Sequence, residues 1–320
     1  MGATEKQDVQ QVGEALLAQL EKVIFGKTSV LRLAITCLLA DGHLLIEDVP
    51  GTAKTIMAKA LSRAVGGIFN RVQGTPDLLP GDITGSHIYH PGDREFTFHP
   101  GSIFANVVLA DEINRATPRA QAALLECMAE RQLSIDGKRL ELPQPFLVIA
   151  TQNPIDHEGT FPLPEAQLDR FLMKLTVGYP HPDAEAEMLV AGATEHPLDQ
   201  VEAVTSPEAL ADIQRQIVQV QVEESVRKYV VKMVGSTRSA SDLVLGGGPR
   251  ATKGLYRASQ AWAALDGRDF VTPDDVKRLT MPILSHRVIL GPEARFAGKR
   301  IEQVLEEAMR LVPAPVVHGG

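Results

Sequence analysis

The first half of the chain alternates short apolar runs with longer stretches of helical spacing. Apolar runs at 43–48, 67–73, 106–111, 146–151 and 171–177 predict strands, and the patterning at 9–22, 28–41, 54–65, 117–130 and 164–170 predicts helices. Alternation of this kind implies a parallel sheet with helices on both faces. After Tyr179-Pro180-His181-Pro182 the pattern turns wholly helical, over 183–192, 206–217, 223–238, 250–265, 273–280 and 299–311. Thr272-Pro273-Asp274-Asp275 is a helix start, with Thr as N-cap, Pro in the first turn and acids beside it. The division falls between an α/β domain over 1–182 and an all-α domain over 183–320, in keeping with the size prior for 320 residues. Residues 1–9 are polar and expected to fray, and the tail from Pro313 reads as irregular.

Two stretches interrupt the first half. Residues 84–104 hold Pro91-Gly92-Asp93 and the alternating Glu95-Phe96-Thr97-Phe98-His99, a hairpin pattern. Residues 131–146 place Asp136-Gly137 between Leu133-Ser134-Ile135 and Leu140-Glu141-Leu142, a second hairpin pattern.

The candidate chemistry begins where the first strand ends. Asp48-Val49-Pro50-Gly51-Thr52-Ala53-Lys54-Thr55 follows the run Leu44-Leu45-Ile46. This reads as strand, tight turn and helix start, the arrangement in which backbone N–H groups and a helix N-terminus cradle phosphates. Lys54 can then reach the β- and γ-phosphates, and the Thr55 hydroxyl can ligate Mg²⁺. The strict glycine pattern is broken by Asp48 at the first glycine position and Ala53 at the second. Ala53 requires either a negative φ or some strain. Downstream, Val107-Val108-Leu109-Ala110 runs into Asp111-Glu112. Asp111 is placed to hold Mg²⁺ and Glu112 to polarise a water.

Together with Val23-Ile24-Phe25-Gly26, the run from Gln73-Gly74-Thr75-Pro76-Asp77 to Gly85, Asp111-Glu112-Ile113-Asn114-Arg115-Ala116, Ala150-Thr151-Gln152-Asn153-Pro154, the run from Pro164 to Phe171 and Gly248-Pro249-Arg250-Ala251, these motifs resemble those of the MoxR family of AAA+ ATPases, in the clade with an insertion in its second helix. The resemblance covers about residue 10 to about residue 312. It implies a P-loop domain with a five-stranded parallel sheet of order 5-1-4-3-2, followed by a helical lid. It implies ATP and Mg²⁺ as cofactors, held by Pro50, Gly51, Thr52, Ala53, Lys54, Thr55 and Ile56, with Thr55 and Asp111 toward the metal. It makes 84–104 and 131–146 the helix-2 insert and the hairpin before sensor 1. It further implies a homo-oligomeric ring, a hexamer, and partners with a von Willebrand factor A domain.

Single residues follow from that frame. Asn153 can orient the attacking water, or merely start an Asn-Pro turn. Arg170 can act as an arginine finger on a neighbour's γ-phosphate, or pair with Glu165 or Asp169. Arg250 sits at a helix start, a poor place for a cation, which invites a sensor-2 role at the nucleotide. Arg115 reads as an interface contact or a local ion pair. Ile24 and Phe25 can pack the adenine, with a core role open for at least one. Gln121, Leu124, Leu125 and Met128 form a core stripe, and the histidines 87, 90 and 99 match no compact metal site.

Composition narrows the class. A net charge of −8 argues against nucleic acid as the main partner, since a phosphate backbone calls for a basic footprint. Cys37 and Cys127 make no disulfide framework and read as buried thiols of a cytoplasmic protein. No stretch has the apolar length of a membrane span. The expected function is an ATP-hydrolysing motor or chaperone-like protein that remodels a protein partner. In it Lys54 binds phosphate, Glu112 activates water, Asn153 orients it and Arg170 completes the site in trans. The alternative is a nucleotide-switched assembly scaffold with little turnover.

Overall fold

The computed structural model describes residues 8–92, 94–135, 137–154, 159–191 and 197–315. The turn positions Asp93 and Asp136, residue 192 and the outermost residues of both termini lie outside the described residues.

Strands Leu44–Glu47, Phe69–Gln73, Val107–Asp111, Leu147–Gln152 and Met173–Leu175 form one parallel sheet. Counted along the sequence, they lie side by side as 2-3-4-1-5, which is the expected 5-1-4-3-2. Period two sends neighbouring side chains to opposite faces. Leu44, Ile46, Val107, Leu109, Leu147 and Ile149 enter a core shared with helices Val9–Glu21, Thr28–Leu39 and Lys54–Ala64. Leu45, Val108, Ala110, Val148 and Ala150 enter a second core with helix Pro118–Glu130. Both faces are covered, so no polar position breaks these runs. The expected helix at 164–170 contracts to Glu165–Leu168, and the strand after it to Met173–Leu175.

Both hairpins form, as Gly85–His90 with Glu95–Pro100 and as Gln132–Ile135 with Lys138–Glu141. Gln121 in the core stripe does more than fill space. Its amide donates to the carbonyls of Ile113, Ala116 and Phe161 at 3.1, 3.1 and 2.8 Å, bracing the turn after Asp111.

The second half carries helices Pro182–Ala191, Pro207–Ile217, Glu224–Ser239, Pro249–Leu265, Pro273–Leu284, Pro292–Phe296 and Ile301–Arg310. It is not wholly helical. Leu243–Leu245 pairs antiparallel with Ile289–Leu290, a ladder too short to leave a pattern in the sequence. Thr272 is the expected N-cap, and with Asp275 it forms a capping box. That helix runs past 280 through Pro282 to Leu284, because Ile283 and Leu284 are both fully buried and packing outweighs the lost hydrogen bond.

The helical half is bolted to the sheet by Arg287, which is 6% exposed. Its guanidinium donates to Asp169 Oδ1 at 2.8 Å and to the Leu172 carbonyl at 3.1 Å, and also to the carbonyls of Phe171 and Ile283. His286 adds a contact to the Phe171 carbonyl at 3.0 Å. These bonds hold the chain just before the fifth strand.

Another buried histidine joins the first and fourth strands. His43 Nδ1 accepts from the Val148 N–H at 3.0 Å, so Nε2 carries the proton toward the Met128 carbonyl at 3.1 Å. Burial, with Arg131 nearby, pulls its pKa from 6.5 down to about 3. An unfolded chain takes up this proton at the higher value, so stability falls as pH drops through that window. His43→Gln should remove part of that dependence. Between about pH 7.5 and about pH 5, urea unfolding should show a loss of stability smaller by about 1–2 kcal/mol than in the wild type.

Candidate nucleotide site

Strand Leu44–Glu47 delivers the chain into a turn whose Gly51 has φ 84° and whose Ala53 has φ 57° and ψ 20°. Ala53 therefore takes the strained alternative, at roughly 1–2 kcal/mol. Thr52 is buried, and its hydroxyl donates to the Val49 carbonyl at 3.1 Å. Lys54 Nζ donates to the carbonyls of Asp48 and Val49, both at 2.8 Å, so it lies over its own turn. Burial lowers its pKa, while Asp48, Asp111 and Glu112 act to raise it. Thr55 and Ile56 stand in the first turn of helix Lys54–Ala64, whose opening N–H groups have no carbonyl within the helix. A helix start of this kind favours an anion.

Asp48 explains how a loop without its first glycine holds its shape. The side chain is buried, and Oδ2 accepts the N–H groups of Val177 and Gly178 at 2.8 and 2.6 Å. Oδ1 accepts the N–H of Val49 at 2.8 Å. One carboxylate thus ties the loop to the chain leaving the fifth strand. The sequence signal was present, as an acid in a glycine's place, but its partners are 129 and 130 residues away.

The second half of this edge is built around Asp111. Its Oδ1 accepts the Thr151 hydroxyl at 2.7 Å, and Thr151 Oγ1 in turn accepts the Glu112 N–H at 2.8 Å. Thr151 was not singled out from sequence; its signal is a hydroxyl at the end of an apolar strand. Glu112 has φ 52°, a left-handed conformation that turns the chain sharply after the strand. Its carboxylate lies 3.5 Å from Arg115, a local ion pair within the subunit. Gly74 donates to the Asp111 carbonyl at 2.6 Å, and a Cβ there would stand 2.1 Å from the Glu112 carbonyl oxygen. Only glycine fits so close an approach. Asn153 is buried directly beyond the fourth strand, on the same edge. The oxygen donors at Thr55 and Asp111 suit a hard cation such as Mg²⁺.

Of the two residues read toward the adenine, Ile24 takes the core role left open for at least one of them: it is 3% exposed and belongs to the core. Phe25 is half-buried in the turn before Lys27, whose Nζ donates to the Tyr179 carbonyl at 2.7 Å.

Arg170 and Arg250 are not brought to this edge. With Asp41, Gly42, Asp169 and Arg287 they line a cavity of ≈190 Å³ at the start of the first and fifth strands. The strands are parallel, so this cavity and Lys54 face opposite edges of the sheet, about 13 Å of strand apart. Arg170 Nη1 donates to the Leu125 carbonyl at 2.7 Å. Arg250 Nη1 lies 3.3 Å from Asp169 Oδ2, while Arg287 holds Asp169 Oδ1. Asp169 supplies the anion that offsets a cation at the start of helix Pro249–Leu265.

Asp48→Ala would leave the N–H groups of Val49, Val177 and Gly178 without their acceptor. A loss of about 2–3 kcal/mol is expected in urea unfolding, with weaker nucleotide binding in the same preparation. Unchanged stability would count against the carboxylate as the loop's anchor.

The ATPase family associated with various cellular activities (AAA) matches residues 43–173, and the AAA lid domain matches residues 235–308. An uncharacterised protein of Bacillus subtilis, YeaC, is 46% identical over 93% of this chain and 93% of its own length. The chaperone MoxR1 of Mycobacterium tuberculosis is 40% identical over 95% of this chain and 83% of its own. A provisionally assigned ATPase from Cytophaga hutchinsonii, known from its crystal structure, superposes with a TM-score of 0.89 at 36% identity, covering 96% of each chain. With its parallel sheet, turn and lid, the chain belongs to the MoxR family of AAA+ ATPases.

Proposed function

We propose that the chain hydrolyses ATP as part of a ring, and that the cycle remodels a protein partner. The observation that carries this reading is the separation of the cations. Lys54 serves one edge of the sheet, while Arg170 and Arg250 stand at the other. No rotation of a side chain brings them together within one subunit. A second copy docked edge to edge does so.

Within that arrangement, Lys54 and the loop from Pro50 to Ile56 bind the phosphates. Thr55 and Asp111 would hold Mg²⁺, which supplies charge neutralisation on the phosphate oxygens. Glu112 accepts a proton from the attacking water. Thr151 and the left-handed turn fix the direction in which Glu112 leaves the strand. Asn153 orients that water. Arg170, with Arg250 beside it, stabilises charge on the γ-phosphate of the neighbouring subunit. A hexamer, a von Willebrand factor A domain partner and a cytoplasmic setting are the further parts of this proposal. The relative MoxR1 is called a chaperone, which supports a protein client. Among the described residues no helix is long and apolar enough to cross a membrane.

Lys54→Ala should abolish nucleotide binding in titration of the purified protein, because the loop loses its own cation. Glu112→Gln should keep that binding and lose phosphate release. A variant turning over at the wild-type rate would place the base elsewhere.

Mixing tests the shared site. Arg170→Ala and Glu112→Gln chains should each be inactive alone and should partly regain turnover together, since some interfaces then join an intact Glu112 to an intact Arg170. Loss of an arginine finger costs about 10³–10⁵ in rate in comparable phosphoryl transfers, so recovery stands well above background. No recovery in mixed oligomers, verified by sedimentation, would reject the shared site.

A further inference from the structure

The Asp111 carboxylate has a partner that the scheme above does not use. Arg71 Nη2 lies 2.6 Å from Asp111 Oδ2. Arg71 comes from the neighbouring edge strand Phe69–Gln73, and the same nitrogen donates to Gln73 Oε1 at 2.6 Å. Both carboxylate oxygens of Asp111 are therefore engaged, Oδ1 by the Thr151 hydroxyl and Oδ2 by Arg71.

The two partners differ in how firmly they are held. Thr151 is fully buried and fixed from behind by the Glu112 N–H, so it keeps its place. The Arg71 side chain is 47% exposed, against 12% for Asp111, and it stands on the outermost strand of the sheet among the described residues. Its guanidinium reaches water and can swing outward when another cation takes its place on the carboxylate. A guanidinium and a divalent cation directed at one oxygen also repel each other.

We propose that Arg71 is the resident counter-cation of Asp111, a positioning residue that holds the carboxylate turned toward the nucleotide loop and is displaced from Oδ2 when the metal–nucleotide complex arrives. Arg71 and the metal then compete for one oxygen. Displacement reaches further than the site. Arg71 and Gln73 close the strand that continues through Gly74 into Pro80–Thr84 and the hairpin Gly85–His90 with Glu95–Pro100. Metal occupancy at Asp111 is thereby linked to the segment that carries the insert. The inference rests on the phosphate-loop reading.

The test uses the full chain with ADP and Mn²⁺, the free metal being followed by electron paramagnetic resonance, and labelled ADP being followed separately by dialysis in chelator. Arg71→Gln should lower the Mn²⁺ concentration needed for half-saturation about fivefold, the upper end of the range for ion pairs that reach the surface. Arg71→Lys, which keeps the charge, should stay near the wild type. An unchanged or raised Mn²⁺ requirement in Arg71→Gln would overturn the inference while leaving the loop reading intact. Loss of the folded state in Arg71→Gln would overturn it as well, since a displaceable counter-cation is not needed for folding. A wild-type chain that binds no ADP, with or without metal, would bring down the phosphate-loop reading and this inference together.

Discussion

A guanidinium removed from water must be paired on nearly every donor, or it stays charged at great expense. Arg287 meets that demand mostly on the segment from Asp169 to Leu172, with the Ile283 carbonyl of the helix before it as the remaining acceptor. Burial lowers its pKa and Asp169 opposes the shift, so the charge survives through its partners. The position of the helical half follows in part from this requirement, beside the packing of helix Pro249–Leu265 on helices Thr28–Leu39 and Val9–Glu21 in a shared core. So does the placing of Arg170, next in sequence to Asp169, and of Arg250, on the other oxygen of Asp169. Lid docking and the arrangement of the cationic edge are a single structural event.

The opposite edge has its own organiser. Asp48 draws together the loop, the end of the first strand and the exit of the fifth. The fifth strand thus touches both devices: Arg287 holds its entrance and Asp48 its exit. It is only three residues long, Met173–Leu175. A displacement of the lid acts on its entrance, and the phosphate loop is tied to its exit. That is a short mechanical path between the two edges, and apart from the Arg287–Asp169 ion pair its links are hydrogen bonds to backbone.

Much of this was legible in the sequence, because it rests on local patterns. The apolar runs locate the strands, Thr272 to Asp275 a helix start, and the strand-ending Asp111-Glu112 an acidic corner. What stayed hidden depends on distant partners. Asp48 looked like a defect in a glycine pattern until Val177 and Gly178 were seen to need it. Thr151, quoted only as part of the run Ala150 to Pro154, and Arg71, in no motif, each gain meaning from Asp111 one strand away. Ile24 was read toward the adenine, but an apolar residue after a helix is as readily claimed by the core. The ladder of Leu243–Leu245 with Ile289–Leu290 is shorter than any periodicity can register.

The opposed edges have a consequence for assembly. In the assembly proposed above, the phosphate-binding end of one copy meets the arginine end of another, and because these lie at opposite ends of the strands a single two-fold contact would not serve both sites. Copies sharing sites in that way would meet head to tail, in a heterologous contact with a polarity. Such contacts either close on themselves or grow without limit. An open arc would leave one unserved loop at one end and one idle pair of arginines at the other. Closure is then the only geometry in which every loop is served, and the angle between adjacent copies becomes a functional quantity. In the proposed ring that angle would depend on how the lid sits on its own sheet, which the bonds of Arg287 to the chain before the fifth strand help to set.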